Sequence, residues 1–361
     1  MRDVRKHVGQ LAIAGFAGHR IPAELKALAR EFDLGGVIFF ARNVDSPEQV
    51  AELSREAQEL ERELPLWVSV DQEGGRVARL KTPFTVWPPM ITLGRSGDER
   101  LVDRFGRALA AELKAVGISM DYTPVLDIHT NPKNPVIGDR ALAETPEVVA
   151  RLGTAMIRAL QNNGIAACGK HFPGHGDTST DSHFELPLIE HPPDRLEHVE
   201  LVPFRAAIEA KVASIMTAHI LIPALDEERP ATLSPRIVDG LLKRELGYGG
   251  LVLSDDLEMK AISGRYGMQD ATVGAIAAGC DAVLMCGDDQ DRQARALEAV
   301  IRAVEEETLP LKRVEDALLR HRRVKERFLA RRAKPLAGAE LRAVLGRDEH
   351  QEVAAEMARF A

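Results

Sequence analysis

Along the chain, short apolar runs alternate with longer segments in which apolar residues recur three and four apart. The short runs are GQLAIAGF (9–16), GGVIFF (35–40), LWVSVD (66–71), ISMDYTPV (118–125), IAACGKHF (165–172), ASIMTAHI (213–220), GLVLSD (250–255) and DAVLMC (281–286). The longer segments include PEQVAELSREAQELERE (47–63), ERLVDRFGRALAAELKAV (99–116) and PEVVARLGTAMIRALQNNG (146–164). A spacing of three and four gathers apolar side chains on one stripe of a helix, and Gly164 stands where a helix stops. The short runs are apolar on both faces, as in a parallel sheet covered by helices. Eight such strands, each followed by a helix or a long loop, predict an α/β chain folded as a single-domain (β/α)8 TIM-type barrel over residues 1–330. A doubly wound open sheet is the alternative. It wants a Gly-rich fingerprint after an early strand, and GFAGHR (15–20) does not supply GxGxxG. Helices near 289–306 and 312–332 follow the last strand, and residues 331–361 form a polar helical extension of unassigned role.

The chain has 361 residues, with 47 Lys and Arg against 55 Asp and Glu, a net charge of −8. That balance argues against a general nucleic-acid binder, which needs a basic footprint. One run, LLRHRRVKERFLARR (318–332), is strongly basic. It reads as a solvated helix face, with a nucleic-acid patch as the other reading. No stretch of 18 or more apolar residues occurs, so no membrane span is expected. The opening MRDVRKHVGQLAIAGFAGHRI reads as the first strand of the fold rather than a signal peptide. Cys168, Cys280 and Cys286 are an odd, sparse set, pointing to a reducing compartment and no disulfide framework. No CxxC or Cys/His zinc spacing is present.

A barrel places chemistry at the C-terminal ends of its strands. Here those ends carry Asp71, Asp127, Lys170 with His171, His219, and Asp255 with Asp256. Each alone reads first as a helix cap or a satisfied core group, and Asp256 is placed to cap the helix that follows. Together they gather polar groups at one rim, which is costly unless the charges are paired or serve a site. The densest segment is KHFPGHGDTSTDSH (170–183), whose Pro173, Gly174 and Gly176 predict a mobile loop above the rim. Two chemical readings of it stand side by side. His171, His175, Asp177 and His183 have the chemistry of metal ligands. Alternatively, Asp181 and His183 form a dyad in which the carboxylate orients an imidazole that moves protons near neutral pH.

The segments KHFPGHGDTSTDSH, VDQEGGRVARL (70–80), PVLDI (124–128), GDR (138–140) and LSDDLEMKA (253–261) closely resemble glycoside hydrolase family 3. Within it they are similar to the single-domain bacterial β-N-acetylglucosaminidases of peptidoglycan recycling. The resemblance runs from about residue 7 to about residue 330. It implies a retaining, cytoplasmic hydrolase that releases terminal non-reducing β-linked N-acetylglucosamine from muropeptide fragments. It assigns Asp255 as the nucleophile; alternation along the strand does not itself choose between Asp255 and Asp256. His183, assisted by Asp181, is the implied acid and base. Asp71, Arg79, Arg140, Lys170 and His171 are the implied sugar-binding residues. Asp127 is expected to orient Arg140, and His219 and Met259 to line the pocket. No metal or other cofactor is implied, and the expected partner is a small carbohydrate bound by a monomer, with neither nucleic acid nor membrane. Three other readings stay open. One is phosphorolysis of the same glycosides, one a metal-dependent barrel hydrolase using the loop histidines, and one a sugar-binding protein without catalysis.

Overall fold

The computed structural model describes residues 4–60, 64–182, 185–330, 332 and 334–361. Eight parallel strands close into a barrel in chain order: β1 (Ala12–Ala14), β2 (Gly36–Phe39), β3 (Trp67–Val70), β4 (Met120–Asp121), β5 (Ala166–Phe172), β6 (Ser214–Thr217), β7 (Leu251–Asp256) and β8 (Ala282–Met285). The seam closes between β1 and β8, with Ile13 opposite Leu284. Each strand lies within the apolar run that predicts it, apart from β7, which extends one residue further to Asp256.

The outer layer follows from the amphipathic segments. Helices α1 (Ala23–Phe32), α2 (Pro47–Gln58), α3 (Glu99–Ala115), α4 (Pro146–Asn162) and α5 (Val202–Glu209) follow the first five strands. A π-helical stretch, Arg236–Glu245, follows β6, and α6 (Met268–Ala278) and α7 (Gln290–Glu305) follow β7 and β8. Their starts are set by side chains that accept otherwise unpaired N–H groups. Ser46 accepts from Gln49 N at 3.3 Å, Asp98 from Arg100 N at 2.8 Å and Asp289 from Arg292 N at 2.8 Å. Along α3, Leu101, Val102, Phe105, Leu109 and Leu113 form the buried stripe.

The lumen is filled by alternate residues of the strands. Ile13, Ile38, Trp67, Met120, Cys168, Leu251, Leu253 and Leu284 pack together inside, while Ala12, Val37, Val68, Ala167 and Val252 face the helices. Helix α8 (Leu311–Leu329) closes the bottom of the lumen with Val324, Phe328 and Leu329. Much of the basic run therefore has internal duties. Lys325 is buried against Gln10 Oε1 and Gly35 O, and Arg320 donates to the carbonyls of Tyr248 and Gly250.

The extension folds as α9 (Gly338–Val344) and α10 (Asp348–Ala358). Its anchor is Glu112 on α3, a buried carboxylate that accepts from Thr85 N, Thr85 Oγ1, Gly346 N and His350 Nδ1 at 2.7–3.0 Å. Among the described residues no helix is long and apolar enough to cross a membrane, and the three cysteines are free and buried.

Candidate active site

The inward positions of three strands end in charged residues. Trp67 and Ser69 point the same way as Asp71, Ala166 and Cys168 the same way as Lys170, and Leu251 and Leu253 the same way as Asp255, because side chains alternate along a strand. Strand alternation alone thus brings a carboxylate, an ammonium and a second carboxylate to the mouth of one lumen. They line a cavity of about 180 Å³, together with Arg79, Arg140, His171, His175, Ser182, Asp256 and Met259.

One wall of this cavity is a charge network. Lys170 Nζ lies 2.8 Å from Asp71 Oδ1 and 2.6 Å from Glu73 Oε1. Arg140 grips the same Glu73 with Nε and Nη2 at 2.9 and 2.8 Å, the two-pronged geometry that suits a guanidinium and a carboxylate. Arg79 Nη2 is 3.6 Å from Asp71 Oδ2, and its guanidinium carbon stands 5.4 Å over the Phe40 ring. Burial pushes the Glu73 carboxyl up, but the charges of Arg140 and Lys170 outweigh it and hold Glu73 far below the ordinary carboxylate range. Lys170 is held well above the ordinary ammonium range by Asp71 and Glu73 despite its burial.

The opposite wall is the end of β7. Asp255 Oδ1 accepts the N–H of Asp256 at 2.8 Å. Enclosure works to raise its pKa, yet electrostatic interaction with His171, His219 and Lys170 and that N–H bond outweigh it and hold the carboxyl below the ordinary carboxylate value. Asp256 differs. Its Oδ1 accepts from Glu258 N and Cys286 N, both at 3.1 Å, and burial pushes its carboxyl up to about 6. One of the paired aspartates is thus an anion facing the cavity, and the other ties a turn.

Residues 3–324 match the glycosyl hydrolase family 3 N-terminal domain. The chain belongs to this family of glycoside hydrolases. It is 43% identical to a β-hexosaminidase of Nitrosomonas eutropha over 71% of this chain and 74% of that one. A β-N-acetylglucosaminidase of Paenibacillus sp. FPU-7 superimposes with a TM-score of 0.95 at 42% identity, covering all of this chain and 69% of that one. NagZ of Neisseria gonorrhoeae, solved in complex with N-trifluoroacetyl-D-glucosamine, has a TM-score of 0.78 at 33% identity over 97% and 98% of the two chains. The chain spans about half the length of another curated relative, β-hexosaminidase A of Pseudoalteromonas piscicida, at 39% identity over 73% of its own residues and 48% of that protein.

In this family 3 chain, several residues sit differently from what the sequence suggests. Asp127 does not orient Arg140, whose carboxylate partner is Glu73. Instead Asp127 binds His171 Nδ1 at 2.6 Å and His175 N at 2.6 Å. His219 is fully buried, with its ring between Thr232 Oγ1 at 2.8 Å and the Asp256 carbonyl at 2.9 Å, so it orients the aspartate pair from behind. Met259 lies on the cavity. His183 lies outside the described residues. Asp181 is half-buried beside Ser182, and its carbonyl accepts from Glu185 N at 3.1 Å.

Of the candidate metal ligands, His171, His175 and Asp177 are among the described residues. Among the described residues no group of three or more His, Cys, Asp or Glu is placed to hold an ion. His171 is held by Asp127, His175 by Thr178, and Asp177 by His191 at 2.5 Å. The glycines of the loop sit at close approaches. A Cβ on Gly176 would lie 1.7 Å from the Ile128 carbonyl oxygen, and Gly174 adopts φ +131° against Glu200. Asn134 Nδ2 donates to the carbonyls of His175 and Gly176 at 2.9 Å each, pinning this part of the loop.

His175 also makes the fold acid-sensitive. Enclosure lowers its pKa from 6.5 to about 4, so between those values the unfolded chain binds a proton that the folded chain does not. Stability contributed by the neutral ring is full above pH 6.5 and is lost as pH falls toward 4, by up to about 3 kcal/mol. Urea unfolding should show this loss between neutral pH and about pH 5, with a shallower dependence in His175→Gln. An identical slope in that variant contradicts it.

Proposed function

We propose that this chain is a retaining exo-β-N-acetylglucosaminidase that removes terminal non-reducing N-acetylglucosamine from muropeptide fragments in the cytoplasm, acting as a monomer. The observation that carries the reading is the placement of the Asp255 carboxylate at the end of β7, on a cavity whose other wall presents Asp71, Arg79, Lys170 and Arg140. A retaining glycosidase needs an anion beneath the anomeric carbon and donors and acceptors that grip the hydroxyls. The activities of the relatives and the glucosamine derivative bound by the Neisseria protein support the choice of sugar.

In the first step an Asp255 carboxylate oxygen bonds to the anomeric carbon as the glycosidic bond breaks. Protonated His183, assisted by Asp181, gives its proton to the departing oxygen. In the second step neutral His183 takes a proton from water, whose oxygen bonds to the anomeric carbon and releases the Asp255 carboxylate. Lys170 and Asp71 lock each other in place, so hydroxyl recognition is organised before the sugar arrives.

A panel of nitrophenyl glycosides, with and without phosphate, tests sugar, anomer and acceptor together. Release of N-acetylglucosamine from the β-N-acetylglucosaminide alone is the expected result. Sugar 1-phosphate appearing in phosphate buffer would instead make phosphate the second-step nucleophile. In His183→Ala, kcat/KM, which reports the first step, should fall by roughly a hundredfold or more for disaccharide substrates. Substrates with dinitrophenolate leaving groups need little protonation and should lose far less. Equal losses contradict the acid role.

A further inference from the structure

Ser182 stands between the two residues of the proposed dyad and has no role in the chemistry above. It is 2% exposed and lines the cavity. Its hydroxyl lies 3.3 Å from His175 Nε2, and its carbonyl accepts the N–H of Ala261 at 3.1 Å. Ala261 belongs to the short helical turn Lys260–Ser263 that directly follows β7, the strand of Asp255. One residue therefore joins the loop after β5 to the segment after β7.

The His175 attachment is itself held on several sides. The His175 backbone N–H donates to Asp127 at 2.6 Å, its carbonyl accepts from Asn134 at 2.9 Å, and its Nδ1 meets Thr178 Oγ1 at 2.8 Å. Its ring also packs edge-on against His171, with centroids 5.9 Å apart. Asp127 in turn holds the His171 ring, one of the groups that keep Asp255 ionised. The contacts thus run in a chain from His171 through Asp127, His175 and Ser182 to Ala261, which the backbone joins to β7.

We propose that Ser182 is a positioning residue that clamps the acid/base segment to the nucleophile's strand, using its hydroxyl on His175 and its carbonyl on Ala261. The inference rests on the proposed role of its chain neighbour, His183. Proton transfer falls off steeply when donor and acceptor are misplaced by an ångström, so a loosened clamp weakens both proton transfers of His183, of which only the first depends on the leaving group.

The test compares wild type, Ser182→Ala, Ser182→Cys and His183→Ala on an N-acetylglucosaminyl disaccharide and on the dinitrophenyl glycoside. Ser182→Ala should lower disaccharide kcat/KM, which reports the step that needs the acid, by about tenfold or more, with dinitrophenyl kcat/KM within about threefold of wild type. Ser182→Cys, near in size but a weak hydrogen-bonding group, should fall between. Thermal unfolding of each variant shows that the fold persists. Equal losses on both substrates, or none on either, overturn the clamp. If His183→Ala is itself indifferent to the leaving group, the acid assignment falls and the clamp with it. If His183→Ala is selective and Ser182→Ala is not, Ser182 alone is misassigned.

Discussion

Asp255→Ala is expected to abolish turnover, lowering kcat by at least about ten-thousand-fold while leaving sugar binding largely intact. The reason is geometric. Asp255 occupies the inward position of β7 after Leu251 and Leu253, and its only described hydrogen bond is the N–H of Asp256. Its removal deletes the anion but leaves Asp71, Lys170 and Arg140 tied to one another through contacts that do not involve it. Asp256→Ala acts differently. It frees the N–H groups of Glu258 and Cys286 and loosens the turn, so its loss should appear in stability as well as rate. Calorimetry of N-acetylglucosamine binding beside single-turnover rates separates the two aspartates. Near-normal turnover in Asp255→Ala contradicts its assignment.

Glu73→Ala should produce the largest loss of stability at the site, about 3–5 kcal/mol, because it leaves two buried cations without their shared anion. Glu73 is fully buried between Lys170 and Arg140, and both wrap around it at 2.6–2.9 Å. Lys170 keeps Asp71 as a partner, whereas Arg140 keeps the Val136 carbonyl at 3.1 Å and no carboxylate within hydrogen-bonding distance among the described residues. Activity should fall too, since the lost anchor frees both cations to turn away from the sugar. Chemical denaturation of the variant beside wild type measures the cost. An unchanged unfolding midpoint would show that Glu73 balances no essential charge.

The barrel is legible in the sequence because its strands are apolar on both faces and few other folds bury so many short strands so completely. The alternation that points Asp255 inward is also written in the sequence, but it becomes usable only when Leu251 and Leu253 are known to face the lumen. Other features lie beyond sequence pattern because their partners are distant in the chain. Nothing in VDQEGGRVARL shows that Glu73 turns toward Arg140, 67 residues away. The His175 of KHFPGHGD reads equally as a metal ligand until its ring is seen between Thr178 and Ser182. The glycines beside it read as hinges, whereas Gly176 provides room for a close backbone approach to Ile128. The anchor of the C-terminal extension on Glu112 likewise depends on contacts more than 230 residues apart.

The central claim is that a covalent glycosyl-enzyme forms on Asp255. A 5-fluoro N-acetylglucosaminyl fluoride tests it most directly. The ring fluorine slows both steps by destabilising the cationic transition state, while fluoride departs without needing a proton. Peptide mass spectrometry of the inactivated enzyme should find one sugar ester, on Asp255. An ester on Asp256 or Asp71, or steady turnover to a product of inverted anomeric configuration with no adduct, would contradict the mechanism.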